Sequence, residues 1–178
     1  DGIINGNYHF VREENINGIV SNFTGDKADN RIEGIMTRDN TFYNYFIYDN
    51  INLIKISDKY EVTTDLYQFN NITDDNNISK FLKRATLISK TEYETGNISY
   101  NYEITTNTID EILNGTNIDI DDIPNSITLE TNEDDEVVKI IYNLSSYSSY
   151  INGVPSNSSI TITYSDFGEI EPLEIPES

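Results

Sequence analysis

The sequence has no cysteine and a single histidine in 178 residues, and these two shortages exclude a good deal of chemistry. Without Cys there is no disulfide, no thiol nucleophile and no thiolate metal site. His9 alone cannot build a multi-His metal site, and it lies in strand-like text far in sequence from any obvious nucleophile, so a His-dependent triad is not expected. No apolar run approaches the roughly 18 residues of a membrane span, and the text contains no charged-then-apolar leader. Gly-rich phosphate loops are missing as well, which leaves nucleotide chemistry without support. Basic residues are scarce, 11 against 31 acidic ones, for a formal net charge of −20. Such a chain is poorly suited to nucleic acid or to an anionic lipid surface. Solubility in an extracellular setting accounts for the charge without a further role.

What is present argues for a folded domain. Hydrophobic residues make up 37% of the chain, with 13 Tyr and 7 Phe, too aromatic and too β-branched for disorder. The length suits one domain over residues 1–178. From Asp1 to about Phe69 the text reads as strands: Ile3 to Val11, Asn15 to Phe23, Arg31 to Arg38, Thr41 to Asp49, Ile51 to Ser57 and Lys59 to Gln68. The separators predicted between them are Glu13-Glu14-Asn15, Gly25-Asp26-Lys27, Asp39-Asn40, Asp49-Asn50 and Asp58, short enough to make antiparallel hairpins. Tyr60, Val62, Thr64 and Leu66 alternate cleanly with polar residues, which predicts one covered face. In Thr41 to Tyr48 the aromatics fall on both faces, which predicts cover on both sides.

Beyond the polar loop Asn70 to Asn77, apolar residues recur at Ile78, Phe81, Leu82, Ala85 and Ile88, the stripe of an amphipathic helix, with Lys80, Lys83 and Arg84 on its solvated face. Ile98, Tyr100, Tyr102 and Ile104 then alternate as a one-sided strand. Thr108-Ile109-Asp110-Glu111 fits a capping box for a second, short helix through Leu113. Three more strands follow at Ile127 to Thr131, Val137 to Leu144 and Ser158 to Tyr164. Together these elements predict an α+β domain: a large antiparallel sheet with a few helices covering one face.

The ending is the most informative stretch. In Ser158 to Pro176 the alternation of Ile160, Ile162 and Tyr164 with Ser and Thr gives a half-buried strand. It runs into Ser165-Asp166-Phe167-Gly168 and a tail punctuated by Pro172 and Pro176, which cannot donate to a sheet ladder. This ending resembles the C-terminus of bacterial lipoproteins of the LolA-like superfamily, especially the LppX/LprAFG-like group, and the element order from about Phe81 to Pro176 is similar to theirs. The resemblance implies a curved, half-barrel-like antiparallel sheet whose concave face is lined by helices around an apolar cavity. It also implies a lipid-bearing Cys upstream of Asp1 and a place on the extracellular face of the bacterial cell membrane. The family usually begins with a longer cavity-closing helix, whereas this chain begins with strand-like text.

Three functional expectations follow. The first is a non-enzymatic exported protein that binds or carries an apolar ligand such as a lipid, with Tyr60, Val62, Leu66, Ile98, Tyr100, Tyr102 and Ile104 as cavity candidates; the same residues also suit a filled core. The second is a cell-surface interaction or sensor domain with a cell-envelope protein as partner and no ligand. The third is weak binding of a hard cation around Asp119, Asp121 and Asp122, although neither that stretch nor Asp74-Asp75-Asn76-Asn77 carries a calcium-loop motif. No cofactor, catalytic residue or metal site is assigned. Carboxylate pairs such as Asp121-Asp122 become a glycosidase site only at a defined separation across a cleft, which spacing along the chain does not give.

Overall fold

The computed structural model describes residues 3, 5–16, 18–64, 75–105, 124–144 and 158–177. Hairpin turns dominate its first half, because left-handed residues recur where two strands meet: Asp29 and Asn30, Asp39 and Asn40, and Asp49 and Asn50 all have positive φ. Asp and Asn tolerate that conformation, and two such residues in succession give the turn whose twist matches paired strands. The strands so joined are β1 (Tyr8–Ile16), β2 (Ile19–Ala28), β3 (Arg31–Arg38), β4 (Thr41–Tyr48), β5 (Ile51–Ile56) and β6 (Lys59–Val62). A short helix α1 (Asp75–Leu82) precedes β7 (Thr86–Glu92), β8 (Ile98–Glu103), β9 (Ser126–Thr131), β10 (Val137–Asn143) and β11 (Ser159–Ser165).

All eleven strands form one sheet in the order β6-β5-β4-β3-β2-β1-β11-β10-β9-β8-β7, and every pairing is antiparallel. The first and last strands are neighbours, so β1 is the middle strand and the two halves of the chain spread outward from it. This corrects the expected fold class. The described residues form a single open sheet with one eight-residue helix, not an α+β domain with several helices over a half-barrel. The helix expected through Ile88 stops at Leu82, where Arg84 N donates to Phe81 O and Ala85 N to Leu82 O, the tightened i to i−3 bonds of a helix end. From Thr86 the chain is strand: Thr86, Ile88 and Thr91 are β-branched, and their preference overrides a stripe that fits both periods. The helix predicted from Thr108 lies outside the described residues.

Two predicted turns are also corrected, since Glu13-Glu14-Asn15 lies within β1 and Gly25-Asp26-Lys27 within β2. Glu14 is kept in the strand by an ion pair with Arg12, and Gly25 by a close approach described below.

One face of the sheet is the core. A row of cross-strand partners runs Met36, Phe23, Arg12, Ile162, Ile140, Leu129 and Tyr100, over seven adjacent strands. The row beside it runs Glu14, Ile160, Tyr142, Ile127 and Tyr102. α1 packs on this face through Ile78 and Phe81, the ring of Phe81 meeting Tyr142 edge-on at 6.2 Å. The other face is polar over β7 to β9, where Asn101 Nδ2 donates to Ser89 Oγ and Thr128 Oγ1 donates to Asn101 Oδ1. In β4, Tyr45, Phe46 and Ile47 are all buried, so the end of that strand is covered on both sides.

Candidate functional site

The centre of the packed face carries a charge. Arg12, on the middle strand, is 0% exposed, in a phase that otherwise holds Tyr8 and Phe10. Its Nη2 donates to Glu14 Oε1, two residues along on the same face, and its guanidinium lies over the ring of its cross-strand partner Phe23 at 5.6 Å. An ion moved out of water needs such an opposite charge and a polarisable face beside it. Burial lowers the Arg12 pKa from its ordinary value, and Glu14, followed by the phenols of Tyr142, Tyr164 and Tyr45, pulls it back up.

Tyr45 reaches Arg12 from three strands away because two glycines clear its path. Tyr45 pairs with Gly34, and Gly34 with Gly25, which pairs with Phe10 of β1. A β-carbon on Gly34 would stand 2.8 Å from the Tyr45 phenol oxygen, and one on Gly25 would stand 3.1 Å from it. The absence of both side chains leaves a flat floor for the ring. Phe23 flanks the ring edge-on at 5.9 Å. Burial pushes the Tyr45 phenol well above its ordinary pKa, Arg12 opposes the rise, and Asp26 adds to it. Tyr8 and Tyr164 close the other side, their rings 5.0 Å apart and nearly perpendicular. The result is an apolar, aromatic layer holding one internally neutralised ion pair with phenols around it.

The candidate cavity residues divide between the faces. Ile98, Tyr100 and Tyr102 are partly buried on the packed face, and Ile104, just past β8, is buried in the core. Tyr60 and Val62 lie on the far strand β6, opposite Lys55 and Leu53 and on the other face, with Val62 74% exposed. Leu66 falls outside the described residues, as do Asp119, Asp121, Asp122 and Asp74. The sequence reading missed Arg12, Tyr45, Tyr142 and Tyr164. Its available signal was Arg12 and Glu14 in the apolar phase of Tyr8-x-Phe10, a same-face pair two residues apart.

His9 sits on the polar face, its Nδ1 2.7 Å from Asp26 Oδ1, with Ser165 opposite it on β11. Ser165 Oγ donates to Asp166 Oδ2 at 3.4 Å, so the hydroxyl proton is directed at a turn carboxylate. Among the described residues no three His, Asp or Glu side chains converge as a metal site requires.

Fold and site together define an open, single-sheet antiparallel protein with an aromatic layer on one face. No family model matches the chain, and no curated protein matches it. Among solved structures, LprF from Mycobacterium bovis is similar with a TM-score of 0.52, covering 97% of this chain and 89% of LprF at 14% sequence identity. At that identity the likeness is one of fold.

Proposed function

We propose that this chain is the ectodomain of an exported bacterial lipoprotein of the LolA-like or LppX/LprAFG-like kind. In this reading a lipid anchor holds it at the outer face of the cell membrane. It binds an apolar ligand such as a lipid chain against the packed face of the sheet and catalyses no reaction. The observation that carries the reading is the fold-level likeness to LprF over nearly the full length of both chains, in the group that the Ser158 to Pro176 ending resembles. Ile98, Tyr100 and Tyr102 support it, because they face the core side yet keep part of their surface, and apolar area still open to water is what a lipid chain gains by covering. Native mass spectrometry and organic extraction of protein purified from its own envelope test the proposal. A co-purifying lipid, lost on Tyr100→Ala with Tyr102→Ala, is the expected result. Protein that carries no lipid and shows no internal space around these residues would sink it.

A further inference from the structure

The two ends of the sheet differ in kind. At one end the connections bear exposed acids, including Asp29, Asp49, Glu133, Asp134, Asp135 and Asp166. At the other end, which the register assigns to the finish of β1, β3 and β5 and the start of β2, β4 and β7, large apolar side chains stand in water. Ile16, Ile19, Val20, Phe42, Ile56 and Leu87 are exposed there, Phe42 to 74%. Charge thins out in the same place: Asn15 to Gly25 and Asn40 to Tyr48 contain no ionisable acid or base apart from the Tyr phenols. Among the described residues at this end, exposed Arg38, Lys55, Lys59 and Lys83 balance exposed Glu13, Asp39, Asp58 and Glu103, in a chain whose net charge is −20.

The exposed residues lie on both faces of the sheet. Ile16 pairs with Ile19 in the phase of Arg12 and Glu14, on the packed face. Val20 pairs with Asn15, and Phe42 with Thr37, on the opposite one. A folded partner or a second copy that docks on one face covers one of these sets and leaves the other wet. A fluid apolar medium into which the end dips covers both. We infer that this end of the sheet inserts its hairpin tips into the interfacial region of a lipid bilayer, one rich in zwitterionic lipid, with the acidic end held in water. Burial of Ile, Val and Phe side chains drives the insertion, and the charges of the described residues at this end nearly balance. The inference does not depend on a ligand inside the fold, since a filled core can dock in the same way.

Co-sedimentation with phosphatidylcholine vesicles tests it, using one variant on each face: Ile19→Ser and Phe42→Ser. Each is expected to weaken vesicle binding about tenfold, while Ile51→Ser at the acidic end leaves it unchanged. Because the chain has no Trp, Phe42→Trp adds a single reporter, whose emission is expected to shift to the blue on vesicle addition and to be quenched by brominated lipid. Full-length folded protein that stays in the supernatant overturns the inference. So does a loss confined to one face's variant, which means that one face alone meets the bilayer, or a concentration-dependent dimer abolished by the same substitutions, which indicates a second copy. The lipid-extraction experiment reads ligand carriage separately, so either result can fail without the other.

Discussion

Gly34 lies directly beneath the ring of Tyr45, its strand partner: a β-carbon there would stand 2.8 Å from the Tyr45 phenol oxygen and would overlap the backbone carbonyl of Thr24. The second contact is with main chain and has no rotamer to escape into. Gly34→Ala is therefore expected to destabilise the fold by about 3 kcal/mol, the upper range for overpacking. Adding Tyr45→Phe should recover little, because the Thr24 carbonyl stays in place. Urea unfolding of the single and double variants measures both terms, and full recovery in the double variant would show that the phenol alone sets the constraint.

Arg12 and Glu14 give an asymmetric prediction. Arg12 is wholly buried, whereas the Glu14 side chain keeps 19% of its surface. Removing the carboxylate strands a cation in the aromatic layer, and breaking a buried pair in this way costs about 3–5 kcal/mol. Replacing both groups with uncharged ones removes the desolvation cost as well. Glu14→Gln is expected to destabilise strongly, and Arg12→Met with Glu14→Gln to regain most of the loss. A double-mutant cycle by chemical denaturation decides, and additive losses would show that the two side chains do not stabilise each other.

Alkaline stability depends on Tyr45. Its phenol has a pKa above the ordinary 10.0 in the folded protein, chiefly through burial. Above pH 10.0 the unfolded chain releases that proton while the folded one keeps it, so stability falls as pH rises. For one group the slope reaches about 1.4 kcal/mol per pH unit. Arg12 and the other tyrosines are common to wild type and Tyr45→Phe, so comparing the two isolates Tyr45. The variant is expected to lose less stability between neutral pH and pH 11, and identical pH profiles would count against a buried phenol.

Local chemistry was legible and long-range pairing was not. Asp39-Asn40 and Asp49-Asn50 announce their turns because those residue types accept positive φ. The same reasoning fails at Glu13-Glu14 and at Gly25, where turn-like residues are held in strands by side-chain partners: Arg12, two residues before Glu14 on the same face, and Tyr45, two strands away from Gly25. The placement of β1 at the centre of the sheet requires it to pair with β11, nearly the whole chain away, and no local pattern encodes that. The apolar phase of Ile98, Tyr100 and Tyr102 could be read, whereas Tyr60 and Val62 have the same alternation on a far strand whose outward face has little cover. Alternation gives the phase of a strand. Cover depends on which element lies above it.

The C-terminal tail is tied to the start of β1 by Asn7. Its side-chain Nδ2 donates to Ile170 O at 2.8 Å, its Oδ1 accepts from Ile170 N at 2.9 Å, and its backbone carbonyl accepts from Gly168 N at 3.0 Å. Further along, Arg31 Nη1 donates to Leu173 O at 2.6 Å. Asn7→Ala removes the two side-chain bonds, worth together about 1–3 kcal/mol, and the effect should be local because the tail adds no strand to the sheet. The expected outcome is faster cleavage by a glutamate-specific protease at Glu169 and Glu174, both exposed, with a small change in the global unfolding midpoint. Asn7→Asp keeps the acceptor for Ile170 N but sets a carboxylate against Ile170 O, so it should protect the tail no better than Ala does. Arg31→Gln loosens only the Leu173 tie and is expected to expose Glu174 more than Glu169. Cleavage of Asn7→Ala at the wild-type rate would mean that the apolar contacts of Ile170 and Leu173, and not these hydrogen bonds, hold the tail in place.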